Sequence, residues 1–505
     1  MTPTVGTGVT VTIRMYRQGL GDCFLLHFAP KAGAAGAEVW VLIDCGVLAD
    51  EDGTRIRAVA EDIRATTQRL DIVVVTHAHW DHISGFAHAR DVFESMEIGE
   101  VWLPSTEDPG NGPACALKAR RLRELATLRG LLQSERVRNS PLMIPSVASV
   151  MRLFGECTPR EGEREGTIPS AEFESALAFL NDATKRTVRY LDSRDQPAPL
   201  AGLLGVRVYA LGPQRHEPVR GGTLNPDGGS NDERATLDLG VAFLAAAQAQ
   251  LVGMDEADQL LYKDVLEQLM PFEPHYRCPV EPTLLELGAA PGPSWSASLS
   301  PKARARTTKS YLGSGNAWRS IDDDWLGITR TLTLALDQDI NNSSLALAFE
   351  LGDNGKVLLF PGDAQLSSWN TWNLLEWEVP PEPGAAGSPR KISAVDLIRR
   401  TQVYKVAHNC SAGATPLAKG LDMMQRADLV ALLPVSATAA ASFDWNLPHQ
   451  PLLARLYERA RGRVLRSDQT VQWLDARGEA GDSVWQNFRA HVRDDNPLYY
   501  EYTAG

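Results

Sequence analysis

The chain has 505 residues, 44% of them hydrophobic and 22% charged, with a formal net charge of -13. That length exceeds a usual single domain, so two domains or one core with large insertions is expected, in a protein of ordinary soluble globular composition. The acidic balance excludes broad non-specific nucleic-acid binding as a main function, while leaving room for a local basic groove.

No N-terminal basic region with an apolar core and small-residue cleavage site occurs, nor any run of about 18 apolar residues; the expectation is a cytoplasmic protein without a membrane span. Six cysteines (Cys23, Cys45, Cys115, Cys157, Cys278 and Cys410) lie far apart with no C-x-x-C pair, which fits reduced thiols. Cys23 and Cys45 fall in strand-like runs as small buried residues, whereas Cys410 lies two residues from a candidate ligand, His408.

In chain order, Val9 to Tyr16 and Cys23 to Phe28 alternate as two strands, interrupted by Gln18-Gly19-Leu20-Gly21-Asp22. Glu38 to Gly46 reads as a third strand closing on Asp44-Cys45-Gly46. Asp22 and Asp44 both stand where the backbone turns sharply beside glycine. Ile56, Val59, Ile63 and Leu70, with charges between them, predict an amphipathic helix leading into a strand over 71–76.

That strand, Asp71 to Thr76, is β-branched and uncharged after its first residue, as in a strand buried on both faces. It runs straight into His77, His79, Asp81 and His82, and the end of such a strand is where α/β folds present chemistry. His77 and His79, two apart, can point to one side and share an ion; Asp81 and His82 follow a tight turn and can face a second. Two ions about 3.5 to 4 Å apart can clamp a hydrolytic transition state.

The H-x-H-x-D-H order of His77, His79, Asp81 and His82 resembles the signature of the metallo-β-lactamase superfamily. The resemblance implies an α/β fold, specifically a four-layer αββα sandwich, with a mono- or dinuclear site that usually holds zinc, and hydrolysis of esters, amides or phosphodiesters. It also implies that Asp44, ending its strand, supports the metal site from behind a ligand.

Further along, Ser84 to Ser95 reads as a helix and Glu100 to Leu103 as a strand. Ala114 to Arg138 is helical and basic, with Lys118, Arg120, Arg121, Arg123, Arg129, Arg136 and Arg138; such a face could hold a phosphate backbone or simply be solvated. Ala171 to Leu191 reads as another helix, and Leu203 to Leu211 as a strand. The region 214–340 holds a Gly/Asn/Asp loop over 221–232, a helical stretch over 235–270, a Pro/Ser-rich stretch over 271–301 and a basic cluster from Lys302 to Lys309.

Ser344 to Glu350 and Val357 to Phe360 are strands joined by Gly352-Asp353-Asn354-Gly355, a hairpin signal, and Pro361-Gly362-Asp363 closes the second. On the resemblance, Asp363 matches the carboxylate that bridges two metals. Lys391 to Arg399 reads as a helix and Gln402 to Ala407 as a strand ending at His408. Tyr404-Lys405-Val406-Ala407-His408-Asn409-Cys410-Ser411 is similar to the L-K-V-x-H-H-G-S motif of the branch that includes competence-type DNA-uptake proteins. Here Asn409 replaces the second histidine and cannot shuttle a proton, though it can hydrogen-bond in support of the site. Helix and strand alternate from 416 to 474, and Asn446-Leu447-Pro448-His449-Gln450-Pro451 resembles that branch's N-x-x-G-H-P stretch, which makes His449 a candidate catalytic residue.

The expected domain spans 1–475, with insertions at about 106–202 and 214–340 and an irregular tail at 476–505. The expected ligands are His77, His79, Asp81, His82, Asp363 and His408, holding two ions, zinc first and manganese or iron as alternatives, with Asp81 also orienting the attacking water. A third histidine for the ion held by His77 and His79 is unassigned; His88, His216 and His275 are the candidates in range. Three functions follow: a phosphodiester hydrolase acting on nucleic acid or a nucleotide; a hydrolase of a small ester, lactone or thioester; or a non-catalytic module with a degenerate site.

Overall fold

In strand β1 (Val9–Tyr16), Val9, Val11, Ile13 and Met15 are buried and the residues between them half-buried, the period-two pattern of a sheet with one face on a core. The computed structural model describes residues 8–32, 36–48, 50, 53–133, 151–155, 170–201, 203–214, 302, 336–381, 388–478 and 481–504. After β1 come β2 (Cys23–Pro30), β3 (Val39–Cys45), α1 (Thr54–Thr66), β4 (Arg69–Val74), α2 (Trp80–His88), α3 (Arg90–Glu94) and β5 (Glu97–Pro104). The chain continues with α4 (Gly112–Gln133), α5 (Ser170–Leu180), β6 (Thr187–Leu191), β7 (Ala198–Pro199), β8 (Val206–Ala210), β9 (Leu347–Leu351), β10 (Lys356–Phe360), α6 (Leu366–Trp372) and β11 (Glu376–Val379). It ends with β12 (Arg390–Ser393), α7 (Ala394–Arg399), β13 (Thr401–Lys405), β14 (Val430–Leu433), α8 (Ala437–Ser442), α9 (Gln450–Arg459), β15 (Val464–Arg466), α10 (Val471–Asp475), α11 (Ser483–Ala490), β16 (Val492–Arg493) and β17 (Tyr499–Ala504).

The strands form an eight-stranded sheet, ordered β16-β17-β1-β2-β3-β4-β5-β6, and a seven-stranded sheet, ordered β15-β14-β13-β10-β9-β8-β7; β11 and β12 make a separate hairpin. Apolar residues from both sheets, among them Ile13, Leu26, Val41, Ile72, Phe349, Leu358, Val403 and Leu432, form one core between the layers. Helix α1 buries Ile56, Val59, Ala60 and Ile63, a stripe at helical spacing. The second sheet's outer face carries its own core with Trp369 and Trp372 of α6, Leu397 and Ile398 of α7, and Leu452, Leu453 and Leu456 of α9. This is the expected αββα α/β sandwich. The chain divides into two compact units, one of residues 1–121, 148–223 and 336–505, the other of 122–147 and 224–335. Every element named belongs to the first except the later part of α4. No helix among the described residues is long and apolar enough to cross a membrane.

Several expectations need correction. The helix expected over 171–191 ends at Leu180, and Thr187–Leu191 is instead the edge strand β6, parallel to β5. The helix expected over 391–399 starts only at Ala394, where Ser393 and Asp396 form a reciprocal capping box. The tail expected to be irregular carries α11 and then β17, six of whose residues pair with β1. Its Tyr500, Tyr502 and Ala504 enter the inter-sheet core, so the last strand of the chain is structural. The loop 221–232, the helical stretch 235–270, the stretch 271–301, and the basic cluster apart from Lys302 lie outside the described residues.

On the outer face of β9, Glu350 is 1% exposed and accepts hydrogen bonds from Arg390 Nη2 (2.6 Å), Arg400 Nη1 (2.8 Å) and the Tyr209 hydroxyl (2.6 Å). Burial pushes its carboxyl up, but Arg390, Tyr209 and Arg400 override that and hold it below the ordinary value. A depressed folded pKa gives stability that is complete above the unfolded value and is lost as pH falls through the folded one. Glu350→Ala is therefore expected to cost about 3–5 kcal/mol at pH 7, because two arginines lose their buried partner. Urea denaturation of both proteins at pH 7 and in acid should show the difference shrinking as the carboxylate protonates.

Candidate metal centre

Parallel strands within each sheet end at one edge, and the residues just past those ends meet. β4 and its parallel neighbour β3 deliver Thr76, His77 and Asp44, while β10 and its parallel neighbour β13 deliver Asp363, Lys405 and His408. The amide of Leu345 donates to Thr76 O at 2.7 Å and ties the two edges together. Close approach demands glycine twice. A Cβ at Gly46 would lie 2.3 Å from the Asp81 carbonyl carbon, and one at Gly362, whose φ is +59, would lie 2.9 Å from Thr76 Cβ.

His77 Nε2 and His79 Nδ1 lie 3.0 Å apart. Two nitrogens bound to one zinc at about 2.0 Å each and near-tetrahedral angles would be about 3.3 Å apart, so the pair is spaced to share an ion. His82 Nε2 lies 3.2 Å from Asp363 Oδ2 and 3.6 Å from Asp81 Oδ2. Ligand atoms of His77, His82 and Asp363 all fall within 4.8 Å of one another, and all three residues are buried. These groups could hold a divalent cation.

The support around them is specific. Asp44, at φ 55, places its carboxylate to accept from Thr76 N (2.8 Å), Thr76 Oγ1 (2.8 Å) and His82 Nδ1 (2.8 Å). With Nδ1–H committed to Asp44, His82 presents Nε2 to the cluster, the arrangement by which a carboxylate fixes an imidazole's tautomer. Lys405, 1% exposed, donates to Gly362 O (2.9 Å) and Asp363 Oδ1 (3.1 Å) and forms an ion pair with Asp22.

The electrostatics follow from that burial. Burial pushes His77 and His79 well below the ordinary imidazole value, with the His82 charge acting in the same direction. Burial would do the same to His82, but Asp363, Asp81, Asp44 and Asp22 override it and hold it well above. Asp363 is pushed up by burial and drawn down further by Lys405 and His82, so it stays ionised. Asp22 is pushed up to about 7, chiefly by burial. A field that favours a proton on His82 Nε2 also favours a cation in its place.

His408 enters from the β13 side. Its amide donates to Asp363 Oδ1 at 3.2 Å, and its Nδ1 sits 2.9 Å from Ser411 Oγ and 3.2 Å from Gln365 Nε2. His408, Asn409 and Cys410 all have positive φ (43, 49 and 63), a costly run for non-glycine residues and one found at functional turns. Asn409 is 3% exposed, and its Oδ1 has no hydrogen-bond partner among the described residues. His449 donates its amide to Cys410 O at 2.8 Å, but among the described residues no hydrogen bond or ion pair joins its side chain to the cluster.

Thus the structure gathers His77, His79, Asp81, His82 and Asp363, brings His408 against Asp363, and sets Asp44 behind His82; Asn409 and His449 adjoin the His408 turn. Of the candidates for a third histidine, His88 packs edge-on against Trp80 at 5.4 Å, while His216 and His275 lie outside the described residues. The cations expected to line a phosphate groove are ion-paired where described: Lys118 with Glu107 (3.0 Å), and Arg120 and Arg121 with Asp339 (3.1 and 2.9 Å). Sequence reasoning assigned no role to Lys405 or to Asp337, whose Oδ1 lies 3.9 Å from His79 Nε2, and ranked Asp22 below Asp44 as support for the site. Lys405 had a signal, being a charged residue inside a strand whose five residues are all buried.

Fold and site together define an αββα sandwich with a candidate metal centre at the parallel strand ends. A family model described as the metallo-beta-lactamase superfamily matches residues 30–97, the segment holding Asp44 and the His77–His82 turn. Members of that superfamily are typically metal-dependent hydrolases. None of the curated proteins compared with the chain matches it.

Proposed function

We propose that this protein is a metal-dependent hydrolase with a dinuclear site, acting on a phosphodiester of a nucleotide or nucleic acid. The observation that carries the hydrolase reading is the convergence of ligand atoms of the buried His77, His82 and Asp363 within 4.8 Å of one another. The donor set fits divalent cations: imidazoles beside carboxylates, with Asp81 Oδ1 buried and without a hydrogen-bond partner among the described residues. His77 and His79 would hold one ion and Asp81, His82 and His408 the other, with Asp363 as a further ligand. Ions so held, zinc in the first instance, supply Lewis acidity to water and to the scissile group. Asp81 Oδ1 accepts the proton of the attacking water. Asp44 keeps His82 in its tautomer, and Lys405 keeps Asp363 ionised and oriented. His449, whose backbone joins the His408 turn, donates a proton to the leaving group. The phosphodiester class rests on the likeness of residues 404–411 to the competence-type motif.

The test is metal content by mass spectrometry after reconstitution with Zn2+ or Mn2+, with hydrolysis of bis(4-nitrophenyl) phosphate and 4-nitrophenyl acetate measured on the same samples. About two ions per chain and chelator-sensitive phosphodiester hydrolysis are expected. Hydrolysis of the acetate alone would replace the substrate class and keep the hydrolase. Substantially less than one ion per chain would leave a scaffold without its chemistry.

A further inference from the structure

Each imidazole of the 77–82 turn gives one ring nitrogen to the cluster and turns the other outward. Two of those outward nitrogens are met: His77 Nδ1 lies 3.1 Å from Thr76 Oγ1, and His82 Nδ1 lies 2.8 Å from Asp44 Oδ2. His79 is the exception. Its Nδ1 faces His77 Nε2 at 3.0 Å, while its Nε2 is buried with no hydrogen-bond partner among the described residues. A metal-binding imidazole ordinarily donates its outer N–H to a carboxylate, a carbonyl or water, which fixes its tautomer and the direction of its ring.

A carboxylate faces that nitrogen. Asp337, 8% exposed in the helical residues 336–341 before β9, has its Oδ1 3.9 Å from His79 Nε2. Burial pushes its carboxyl up to about 6, so it is ionised and able to accept at pH 7.5. Asn341 Nδ2 donates to the same Oδ1 at 3.2 Å, and Arg120 and Arg121 of α4 grip Asp339 at 3.1 and 2.9 Å, so the helical turn is held on both counts. Phe154 packs at right angles to the His79 ring, centroids 5.3 Å apart, which fixes the plane of the ring but offers Nε2 no acceptor. The 3.9 Å separation is about 1 Å longer than a hydrogen bond. It is also shorter than the about 4.5 Å that a water bridging the two atoms at its tetrahedral angle would need. A direct contact, closed by a small turn of either side chain, fits the gap better than a bridge.

We propose that Asp337 is a positioning residue of the metal centre: its carboxylate takes the hydrogen bond of His79 Nε2–H and so holds Nδ1 toward the ion shared with His77, as Asp44 does for His82 Nε2. The proposal rests on the dinuclear reading above. In this role Asp337 touches neither ion nor substrate. Its effect passes through one imidazole, and therefore falls on one ion of the two.

The experiment is calorimetric titration of the metal-free full-length protein with Zn2+ at pH 7.5, with visible absorption of the Co2+-loaded protein, on wild type, Asp337→Ala and Asp337→Asn. Asp337→Ala should bind one ion about 10- to 100-fold more weakly and the other within about threefold of wild type, with a Co2+ absorption altered by the loosened imidazole. Asp337→Asn, whose amide oxygen still accepts from Nε2–H, should recover at least half of that loss on a logarithmic scale, together with the wild-type Co2+ absorption. A folding role would weaken both ions, and an effect of net charge alone would leave asparagine as weak as alanine. Either result overturns the assignment, as does Asp337→Ala binding both ions within about threefold of wild type. If the alanine variant does not fold, Asp337→Asn decides: a loss of about two- to tenfold confined to one ion upholds the proposal, and any other result overturns it. Wild type that binds fewer than two ions would fail the dinuclear reading, and the proposal with it.

Discussion

Asp363→Ala is expected to lose at least one ion per chain and to lower kcat/KM for the phosphodiester by about 10^3-fold or more. The magnitude follows from the several kcal/mol that Lewis-acid stabilisation contributes, each 1.36 kcal/mol being about tenfold in rate. Asp363 is where the two sheet edges meet chemically. Its Oδ2 faces His82 Nε2 at 3.2 Å, and its Oδ1 accepts from Lys405 Nζ at 3.1 Å and from the His408 amide at 3.2 Å. Alanine removes all three contacts at once and leaves a buried ammonium with one fewer counter-charge, at a cost of about 3–5 kcal/mol. Asp363→Asn separates the two effects. It keeps an acceptor for Lys405 but drops the charge, so it should fold better than the alanine variant and still bind metal poorly. Metal analysis, steady-state kinetics and thermal unfolding on the three proteins would check this. Activity of Asp363→Ala within tenfold of wild type would remove the carboxylate from the mechanism.

How far the sequence reached depended on whether a residue's role is local. Residues 71–82 were legible because strand, turn and ligands are consecutive and each follows from its neighbours: a buried run, then donors at a spacing two imidazoles can share. The hairpin before Asp363 was legible for the same reason, through its Gly-Asp-Asn-Gly turn. Asp337 was not. It stands in a short helical turn within a region of irregular composition, and only the tertiary placement of 336–341 against His79 gives it meaning. Lys405 was quoted as part of a motif, yet its partners Asp22 and Asp363 lie hundreds of residues away in one case and in the turn after another strand in the other. The boundary misses have local causes that were readable. Ser393 and Asp396 stand at capping-box spacing and mark the start of α7, and Tyr500, Tyr502 and Ala504 alternate as a strand does, although the chain end drew an irregular reading.

Lys405→Met should destabilise the metal-free protein by about 3–5 kcal/mol at pH 8 and distinctly less at pH 5. The cation is buried against Asp22 and Asp363; burial pulls its pKa down, and those two carboxylates override this and raise it above the ordinary lysine value. Methionine fills a similar volume, so the loss is mainly electrostatic. Its pH dependence has a definite sign. Asp22 is already raised to about 7 by burial, with Lys405 drawing it down, so removing Lys405 raises it further. A carboxyl whose folded pKa exceeds its unfolded value stabilises the fold fully below the unfolded pKa and loses that contribution as pH rises through the folded one. At pH 5 Asp22 is protonated with or without Lys405, so their pair adds little to the loss; at pH 8 the wild type has the ionised Asp22 paired with Lys405, and the variant lacks that pair. Divalent metal should reverse part of the loss, because a pocket one charge more negative binds cations more tightly, and that binding stabilises only the folded chain. Urea denaturation at both pH values, with chelator and then with saturating Zn2+, distinguishes this from a packing role. An equal loss at pH 5 and pH 8, unrelieved by metal, would mean that Lys405 fills space, and that the charge balance of this pocket is set without it.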